Sequence, residues 1–264
     1  MRHIYLICLL LSSKVFAQNN TGSRIASMAN AGVALQDVWS LMENQAGIAN
    51  LENPIISIGY EQRFLDKELN TQSIVFAIPV KQNVFGLSFQ KYGFSAFSEQ
   101  KVGFAYAKRF GNTLFAALNF NYHQLSIQNY GSAKAFSAEA GIQYLANEKL
   151  MIGAHVANPN KSTYEEEAGT DIPVSLQVGA SYRFSDKVLL ASSFIKTLNS
   201  TMDVKLGLEY HLIKWLALRG GVSANSFKQY VGFGLNYQHF KIDLATSSHL
   251  ALGYSPQLAL SYEF

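Results

Sequence analysis

Serine and histidine pairs are the first residues in this sequence of 264 amino acids that could do chemistry. His249 follows Ser247 and Ser248, and His123 lies shortly before Ser126. Nucleophilic catalysis needs a nucleophile, a base and a third group that orients the base. Neither pair has a recognisable third group or nucleophile elbow, and serine and histidine often lie close together by chance. The sequence therefore does not predict an enzyme, and we assign no catalytic residue.

Metal and cofactor chemistry has still less support. The six histidines are scattered without the spacing of metal ligands, and the only cysteine, Cys8, lies in the apolar start of the chain. Glu165, Glu166 and Glu167 could attract a cation, but a run of like carboxylates is usually solvated. We expect no metal and no cofactor. The formal net charge of +3 is too small to indicate nucleic-acid binding.

Residues 1–17 are typical of a secretory signal peptide. Arg2 and His3 precede a short apolar run, and the segment ends at Ala17, a small residue suited to cleavage. A membrane anchor is the less favoured interpretation, because the apolar run is roughly half of the ~20 residues that a spanning helix needs. The sequence therefore predicts an exported protein.

The remaining sequence is typical of a β-barrel that spans a membrane. Charged residues make up 15% of the chain and aromatic residues 13%, whereas a typical soluble domain is about 25% charged. From Pro54 onward, apolar and polar residues alternate in segments of about ten residues, as they do in membrane barrel strands. The alternation is sharpest between Met202 and Leu212. An apolar outer face and a polar lumen would account for this pattern.

Fourteen alternating segments are predicted between residues 53 and 264. They begin near Ile55, Thr71, Val84, Lys101, Thr113, Lys134, Leu150, Val174, Val188, Met202, Trp215, Lys228, Lys241 and Ser255. Short turns follow the even-numbered segments, and longer connections mostly follow the odd-numbered ones. A soluble β-sandwich also alternates, but this division of turns and loops favours an outer-membrane barrel. We therefore predict an all-β fold, a transmembrane antiparallel β-barrel of about fourteen strands.

Aromatic side chains are predicted to form a belt at the short-turn end of this barrel. The outward-facing aromatic residues that end the even-numbered segments are Tyr106, Phe110, Tyr144, Tyr182, Phe184, Tyr210, Tyr237, Tyr262 and Phe264. Aromatic rings are favoured at the boundary between lipid and water. The terminal Phe264, preceded by alternating apolar residues, also resembles the C-terminal signal of outer-membrane barrels.

Residues 18–52 do not follow the strand pattern and are predicted to form a plug segment inside the barrel. The residues at helical spacing, which would form one apolar face of a short helix, are Leu35, Val38, Trp39 and Met42. Asp37 is placed to cap this helix near its start. The sequence Asn44-Gln45-Ala46-Gly47 would end it. A helix of this length is marginal alone, so we expect it to pack against the barrel wall.

Charged residues of both signs occupy inward-facing positions of the predicted strands. Those singled out as polar lumen residues are Arg109, Glu139, Arg183, Asp203, Lys205, Glu209, His211 and Arg219. Two interpretations remain open for this set. The residues pair with one another across the wall and fix the barrel geometry, or they form a polar binding site or pathway. Many other inward positions are small, such as Gly59, Gly86 and Gly207, and would leave room for an internal segment.

The plug segment resembles the start of the FadL-like family of outer-membrane barrels. Ala31 to Asp37 reads Ala-Gly-Val-Ala-Leu-Gln-Asp, and Asn44 to Gly47 reads Asn-Gln-Ala-Gly. The usual family pattern is Gly-Ala-Gly-Val-Ala, an acidic residue and then Asn-Pro-Ala-Gly, so Gln45 stands in place of the proline. The family includes transporters of long-chain fatty acids and hydrocarbons, and the PorV and PorQ relatives of the type IX secretion machinery.

The resemblance implies that residues 23–49 fold into the barrel from the periplasmic end, with Asn44, Gln45 and Gly47 at the turn into the first strand. It also implies two functions. The first is passive transport of a small hydrophobic molecule across the outer membrane. The second is a non-transporting barrel subunit of a secretion or assembly complex, which the short outer loops favour. The expected partners are outer-membrane lipid and either a hydrophobic small molecule or the subunits of such a complex.

Overall fold

A closed barrel of fourteen antiparallel strands forms the body of the protein, in a computed structural model that describes residues 22–164, 171–225 and 227–264. The strands are β1 Ile55–Gln62, β2 Asn70–Val80, β3 Asn83–Gly93, β4 Phe97–Phe110, β5 Leu114–Ile127, β6 Gly131–Asn147, β7 Leu150–Ala157, β8 Ser175–Ser185, β9 Val188–Thr197, β10 Asp203–Ile213, β11 Leu216–Ser223, β12 Lys228–Tyr237, β13 Phe240–His249 and β14 Gly253–Glu263. The predicted fold class is confirmed. The predicted signal peptide, Cys8 and the run Glu165 to Glu167 lie outside the described residues.

Each strand pairs with its neighbours in sequence, and β1 pairs with β14 to close the wall. The seam is in register from Ile55 opposite Glu263 to Glu61 opposite Gln257. Beyond the pair of Ile55 and Glu263, the Phe264 backbone N–H donates to the Pro54 carbonyl oxygen at 3.0 Å. The first and last strands of the chain therefore complete a wall that has no free edge.

The strand alternation places apolar side chains outside and polar ones inside. In β10, Leu206 and Leu208 are both 46% exposed, whereas Lys205 and Glu209 are buried. A soluble sheet shows the opposite arrangement, because its apolar face packs on the core. An apolar outer wall is stable where hydrocarbon, not water, surrounds it.

The two ends of the barrel differ as the sequence predicts. Only residues 81–82, 148–149 and 186–187 separate the strands of three of the hairpins at one end. At the other end, residues 63–69 join β1 to β2, and residues 158–174 separate β7 from β8. Most of the predicted aromatic belt is exposed at the short-turn end, as for Phe110 and Phe184. We call this end the short-turn end and the opposite end the long-loop end.

Short helical pieces precede the barrel and lie inside it. The α-helix α1 spans Gly22–Ser27, and two 3-10 turns span Val38–Met42 and Gln45–Ile48. The predicted single helix with Leu35 on its face is wrong, since Leu35 lies before the first 3-10 turn. All residues of both turns are buried, so neither turn has a face exposed to solvent. No described helix is long or apolar enough to cross a membrane.

The hydrophobic core lies in the lumen and consists largely of the plug. The most completely buried large side chains of residues 22–49 are Ile25, Met28, Leu41, Met42, Ile48 and Trp39. They pack against small inward-facing residues of the wall, including Ala77 and Ala105. The plug therefore supplies the apolar bulk that the polar inner wall lacks.

Candidate functional site

Glycines in the wall make room for the plug. A Cβ atom at Gly59 in β1 would lie 2.6 Å from the ring of Trp39, and one at Gly221 in β11 would lie 2.6 Å from the backbone nitrogen of Ala29. Other wall glycines that face the plug are Gly86, Gly141, Gly153, Gly207 and Gly232. A larger residue at these positions would require the neighbouring side chain or backbone to shift. The small inward residues noted in the sequence are therefore docking positions.

Trp39 is the largest buried side chain and anchors the first 3-10 turn. It is 1% exposed and lies against Gly22 and Gly59. Asp37 caps the turn, and its Oδ1 accepts a hydrogen bond of 2.9 Å from the Trp39 backbone N–H. The other predicted plug residues, Leu35, Val38 and Met42, are also buried.

Asn44 makes hydrogen bonds both within the plug and to the wall. Its Nδ2 donates to the Val33 carbonyl oxygen at 2.6 Å and to the Ile142 carbonyl oxygen of β6 at 3.2 Å. Its Oδ1 accepts a hydrogen bond of 3.2 Å from the Ala46 backbone N–H and so caps the second 3-10 turn. Gly47 follows within this turn, where a Cβ atom would lie 2.7 Å from the Cβ of Ser40. Asn44 and Gly47 thus fix the local path of the chain.

An ionic cluster that joins the plug to the wall is centred on Arg24 in α1. Its Nε and Nη2 donate to the two oxygens of Glu209 at 2.9 and 2.8 Å, and its Nη1 donates to Asp37 Oδ2 at 2.8 Å. Arg219 Nε also donates to Glu209 at 2.6 Å, and its Nη1 donates to Asp243 at 2.6 Å. Two arginines and three carboxylates therefore share one network, which is buried at Glu209 and Arg219 and partly buried at Arg24 and Asp37. We call these five residues the Arg24 cluster.

Sequence analysis missed Arg24, although a signal was present. Arg24 is the only basic residue between positions 22 and 49, and a cation placed inside a barrel must find a counter-charge. The pairing of Glu209 with Arg219 supports the first interpretation of the lumen charges, in which they fix geometry. The plug takes part in that pairing through Arg24.

A second polar cluster lies around Glu139 of β6. Lys101 Nζ and Asn121 Nδ2 each donate to Glu139 Oε1 at 2.8 Å, and Gln45 Nε2 donates to Glu139 Oε2 at 2.7 Å. His155 Nε2 lies 3.3 Å from the same Oε2. Gln45, which stands where the family pattern has proline, therefore makes a side-chain contact that proline could not make.

Glu43 is the second buried ionisable residue of the plug that the sequence did not single out. It is buried, and its Oε1 has no hydrogen-bond partner among the described residues. Burial raises the pKa of Glu43, although the positive charge of Lys205 and the imidazole of His155 act in the opposite direction. The charged form of this carboxyl group is thus unfavourable in the folded protein.

The remaining predicted lumen residues do not join these clusters. Asp203 accepts hydrogen bonds of 2.9 and 2.8 Å from Ser223 Oγ at the long-loop end. Arg109 is partly buried near Asn50, with 3.5 Å between Nη1 and the amide oxygen. Arg183 is exposed at the short-turn end and His211 is half-buried in β10.

The serine and histidine pairs do not form catalytic arrangements. His123 Nε2 lies 2.8 Å from the hydroxyl of Ser137, not near Ser126. His249 Nδ1 accepts hydrogen bonds of 3.2 Å from the backbone N–H groups of Ala251 and Leu252 in its own turn. Within the described part of the chain, no three His, Cys, Asp or Glu residues are grouped to hold a metal ion.

A cavity of about 270 Å³ lies between the plug and the wall at the short-turn end. Its apolar lining residues are Ala34, Leu35, Phe115, Leu145, Met151 and Leu189, and its polar ones include Arg24, Gln36, Ser181 and Arg183. Residues of the short turns, such as Asn112 and Lys149, surround its mouth. The plug therefore does not fill the lumen completely on the Leu35 side.

Three solved structures relate this architecture to known proteins. The toluene transporter TbuX of Ralstonia pickettii matches with a TM-score of 0.71 at 14% identity, covering 95% of this chain and 100% of that chain. The CymD monoaromatic hydrocarbon channel matches with a TM-score of 0.70 at 13% identity, covering 94% and 99%. A FadL homologue of Pseudomonas aeruginosa matches with a TM-score of 0.68 at 12% identity, covering 92% and 98%.

The fold is therefore that of the FadL-type outer-membrane channels. The resemblance in the plug segment is confirmed at the level of the fold, whereas assignment to the PorV-like branch stays a prediction. No protein-family model and no curated protein sequence matches the chain.

Proposed function

We propose that the protein is a passive outer-membrane channel for a small hydrophobic molecule, with its plug at the periplasmic end. The observation that carries this proposal is the cavity of about 270 Å³ beside the plug, with its apolar side formed by residues such as Leu35 and Met151. Monoaromatic hydrocarbons, named for structurally similar channels, are the proposed class of substrate. The apolar outer wall supports a position in a membrane.

In this proposal, passage requires a local rearrangement of residues 33–35, of which Ala34 and Leu35 line the cavity. Gln143 Nε2 donates to the Val33 and Leu35 carbonyl oxygens at 3.1 and 2.9 Å, and Ser181 Oγ donates to the Ala34 carbonyl oxygen at 2.9 Å. These wall contacts are hydrogen bonds to the backbone, each worth roughly 1 kcal/mol net. A shift of these residues is therefore far less costly than release of the whole plug.

Uptake of labelled toluene by cells tests the proposal. Deletion of the gene should lower uptake, and the wild-type gene should restore it. Met151→Trp fills the cavity and should restore uptake only weakly. The neighbouring residue Ile152 is 46% exposed on the outer wall, so Ile152→Trp should restore it fully.

Equal uptake with and without the gene would contradict transport. Purification of the intact protein in mild detergent then separates the remaining possibilities. Stoichiometric partner proteins in that preparation, together with unchanged uptake, would identify a subunit of a secretion or assembly complex instead of a channel.

A further inference from the structure

A groove of about 500 Å³ crosses the outer face of the barrel between β4 and β8. Small outward-facing residues of β5, β6 and β7 form its floor: Ala116, Ala140 and Ala154. Larger side chains, including Phe110, Leu118 and Leu176, form its margins. The groove lies on the side of the wall that faces away from the plug and is separate from the cavity at Leu35.

The depression follows from the strand register. Ala116 lies between Lys108 of β4 and Ile142 of β6, and Ile142 lies opposite Ala154 of β7. In β10, by contrast, the outward positions carry larger side chains, such as Leu206 and Leu208. An alanine in such a row lowers the surface relative to its neighbours. The result is an apolar groove on the outer face of the wall, where hydrocarbon surrounds it.

Lys108 gives this groove a charged end. It lies on the outward face two residues before Phe110, at the short-turn end, and lines the groove. Its Nζ lies 5.3 Å from the centre of the Phe110 ring. None of the described carboxylates forms an ion pair with it. A lysine in an aromatic belt is placed at the level of lipid headgroups.

We propose that the groove binds one phospholipid of the inner leaflet of the outer membrane. One acyl chain lies over Ala116, Ala140 and Ala154, and the phosphate lies beside the Lys108 ammonium. The apolar groove suits an acyl chain, and a basic residue at the membrane surface attracts an anionic headgroup. The site does not depend on transport. It requires only that the short-turn end faces the periplasmic leaflet.

Native mass spectrometry of the full barrel tests this proposal. The protein is released from nanodiscs that contain equal amounts of phosphatidylethanolamine and phosphatidylglycerol. We expect one retained phospholipid per wild-type barrel, enriched in phosphatidylglycerol. The double variant Ala140→Leu/Ala154→Leu fills the floor and should lose the retained lipid. Lys108→Ala should keep a lipid but lower the preference for phosphatidylglycerol about fivefold.

Two variants outside the groove serve as matched controls. Ala180 also faces outward, on β8 between Ile152 and Ser192, so Ala180→Leu should retain the lipid. Lys187 is exposed in the short turn after β8, so Lys187→Ala should keep the headgroup preference. A folded barrel migrates differently on a gel before and after heating. A variant that keeps this difference still folds as a barrel.

Three outcomes would overturn the assignment. The first is a wild-type barrel that retains no phospholipid. The second is equal retention by the wild type and the Ala140→Leu/Ala154→Leu variant. The third is a dimer of the wild type that the same double variant dissociates, which would make the groove a contact between two copies of the chain.

Discussion

Trp39 fills a space that Gly22 and Gly59 leave at the boundary between plug and wall. Trp39→Ala would leave a cavity in a part of the lumen where the neighbouring glycines cannot fill it. We expect a loss of about 3–5 kcal/mol in the free energy that docks the plug. Hydrogen exchange measures this loss as faster exchange of backbone amides in residues 22–49, with strands β5 and β6 unchanged.

Trp215 supplies the control for this variant, since it is the other tryptophan of the chain and is 54% exposed. Trp215→Ala removes the same side chain from the outer surface and should leave exchange in residues 22–49 at the wild-type rate. Equal acceleration by both variants would contradict a specific role for Trp39.

Glu43 is expected to make the stability of the folded protein depend on pH. Burial raises its pKa, so the folded protein takes up this proton at a higher pH than the unfolded chain does. The contribution of Glu43 to stability is therefore fully present at low pH and is lost as pH rises through the raised pKa. Glu43→Gln should raise the unfolding temperature at pH 8. The difference from the wild type should shrink as pH falls below the ordinary value of 4.5.

At the scale of elements, the plug shows why a helical spacing did not produce a helix. Val38, Trp39 and Met42 are buried together, as their spacing indicates, but Asp37 and Asn44 each cap a separate 3-10 turn. The barrel wall surrounds this part of the chain on several sides, so every residue of both turns is buried. The spacing predicted burial correctly and the element incorrectly, because the wall, and not local propensity, fixes the path.

The Arg24 cluster is expected to hold α1 against β10. Arg24→Ala leaves Glu209 with Arg219 alone and should weaken docking of α1 by about 1–3 kcal/mol, the cost of lost hydrogen bonds to charged groups. Amides of residues 22–30 should exchange faster, while those of residues 38–48 change less. Arg24→Ala/Glu209→Gln should recover part of the loss, because residue 209 then no longer carries a buried charge that has lost one of its two arginine partners.

The ion pair of Lys241 and Glu263 provides the control for the Arg24→Ala variant. Its side chains are 42% and 30% exposed and lie in the wall at the short-turn end. Lys241→Ala should cost at most ~1 kcal/mol and leave plug exchange unchanged. If Arg24→Ala had as small an effect, the Arg24 cluster would not be what retains α1.

At the scale of the whole molecule, the barrel was predictable and the plug contacts were not. Alternation and turn lengths are local, so they revealed fourteen strands and two unlike ends. The bond between Arg24 and Glu209 joins residues 185 positions apart, and no local pattern encodes it. The inward glycines were visible in the sequence, but only the register of the strands shows which part of the plug each one faces.

Variants of two adjacent glycines of β11 test whether the plug seals the lumen. Gly221 faces Ala29 and Met28, whereas a Cβ at the neighbouring Gly220 would meet no atom closer than 3.8 Å. Gly221→Leu should push the plug away and raise the ionic conductance of single barrels in a planar bilayer. Gly220→Leu adds the same side chain on the other face and should leave conductance at the wild-type level. A Gly221→Leu barrel that folds and stays closed would contradict the prediction.

The seam between β1 and β14 determines when the protein can be complete. Ribosomes make β14 last, so the partner of β1 emerges after every other strand. Contacts this distant in sequence form slowly, and until they form, both unpaired edges can recruit foreign strands. The plug therefore stays without its enclosing wall until β14 pairs with β1, because only that pairing closes the chamber that buries it.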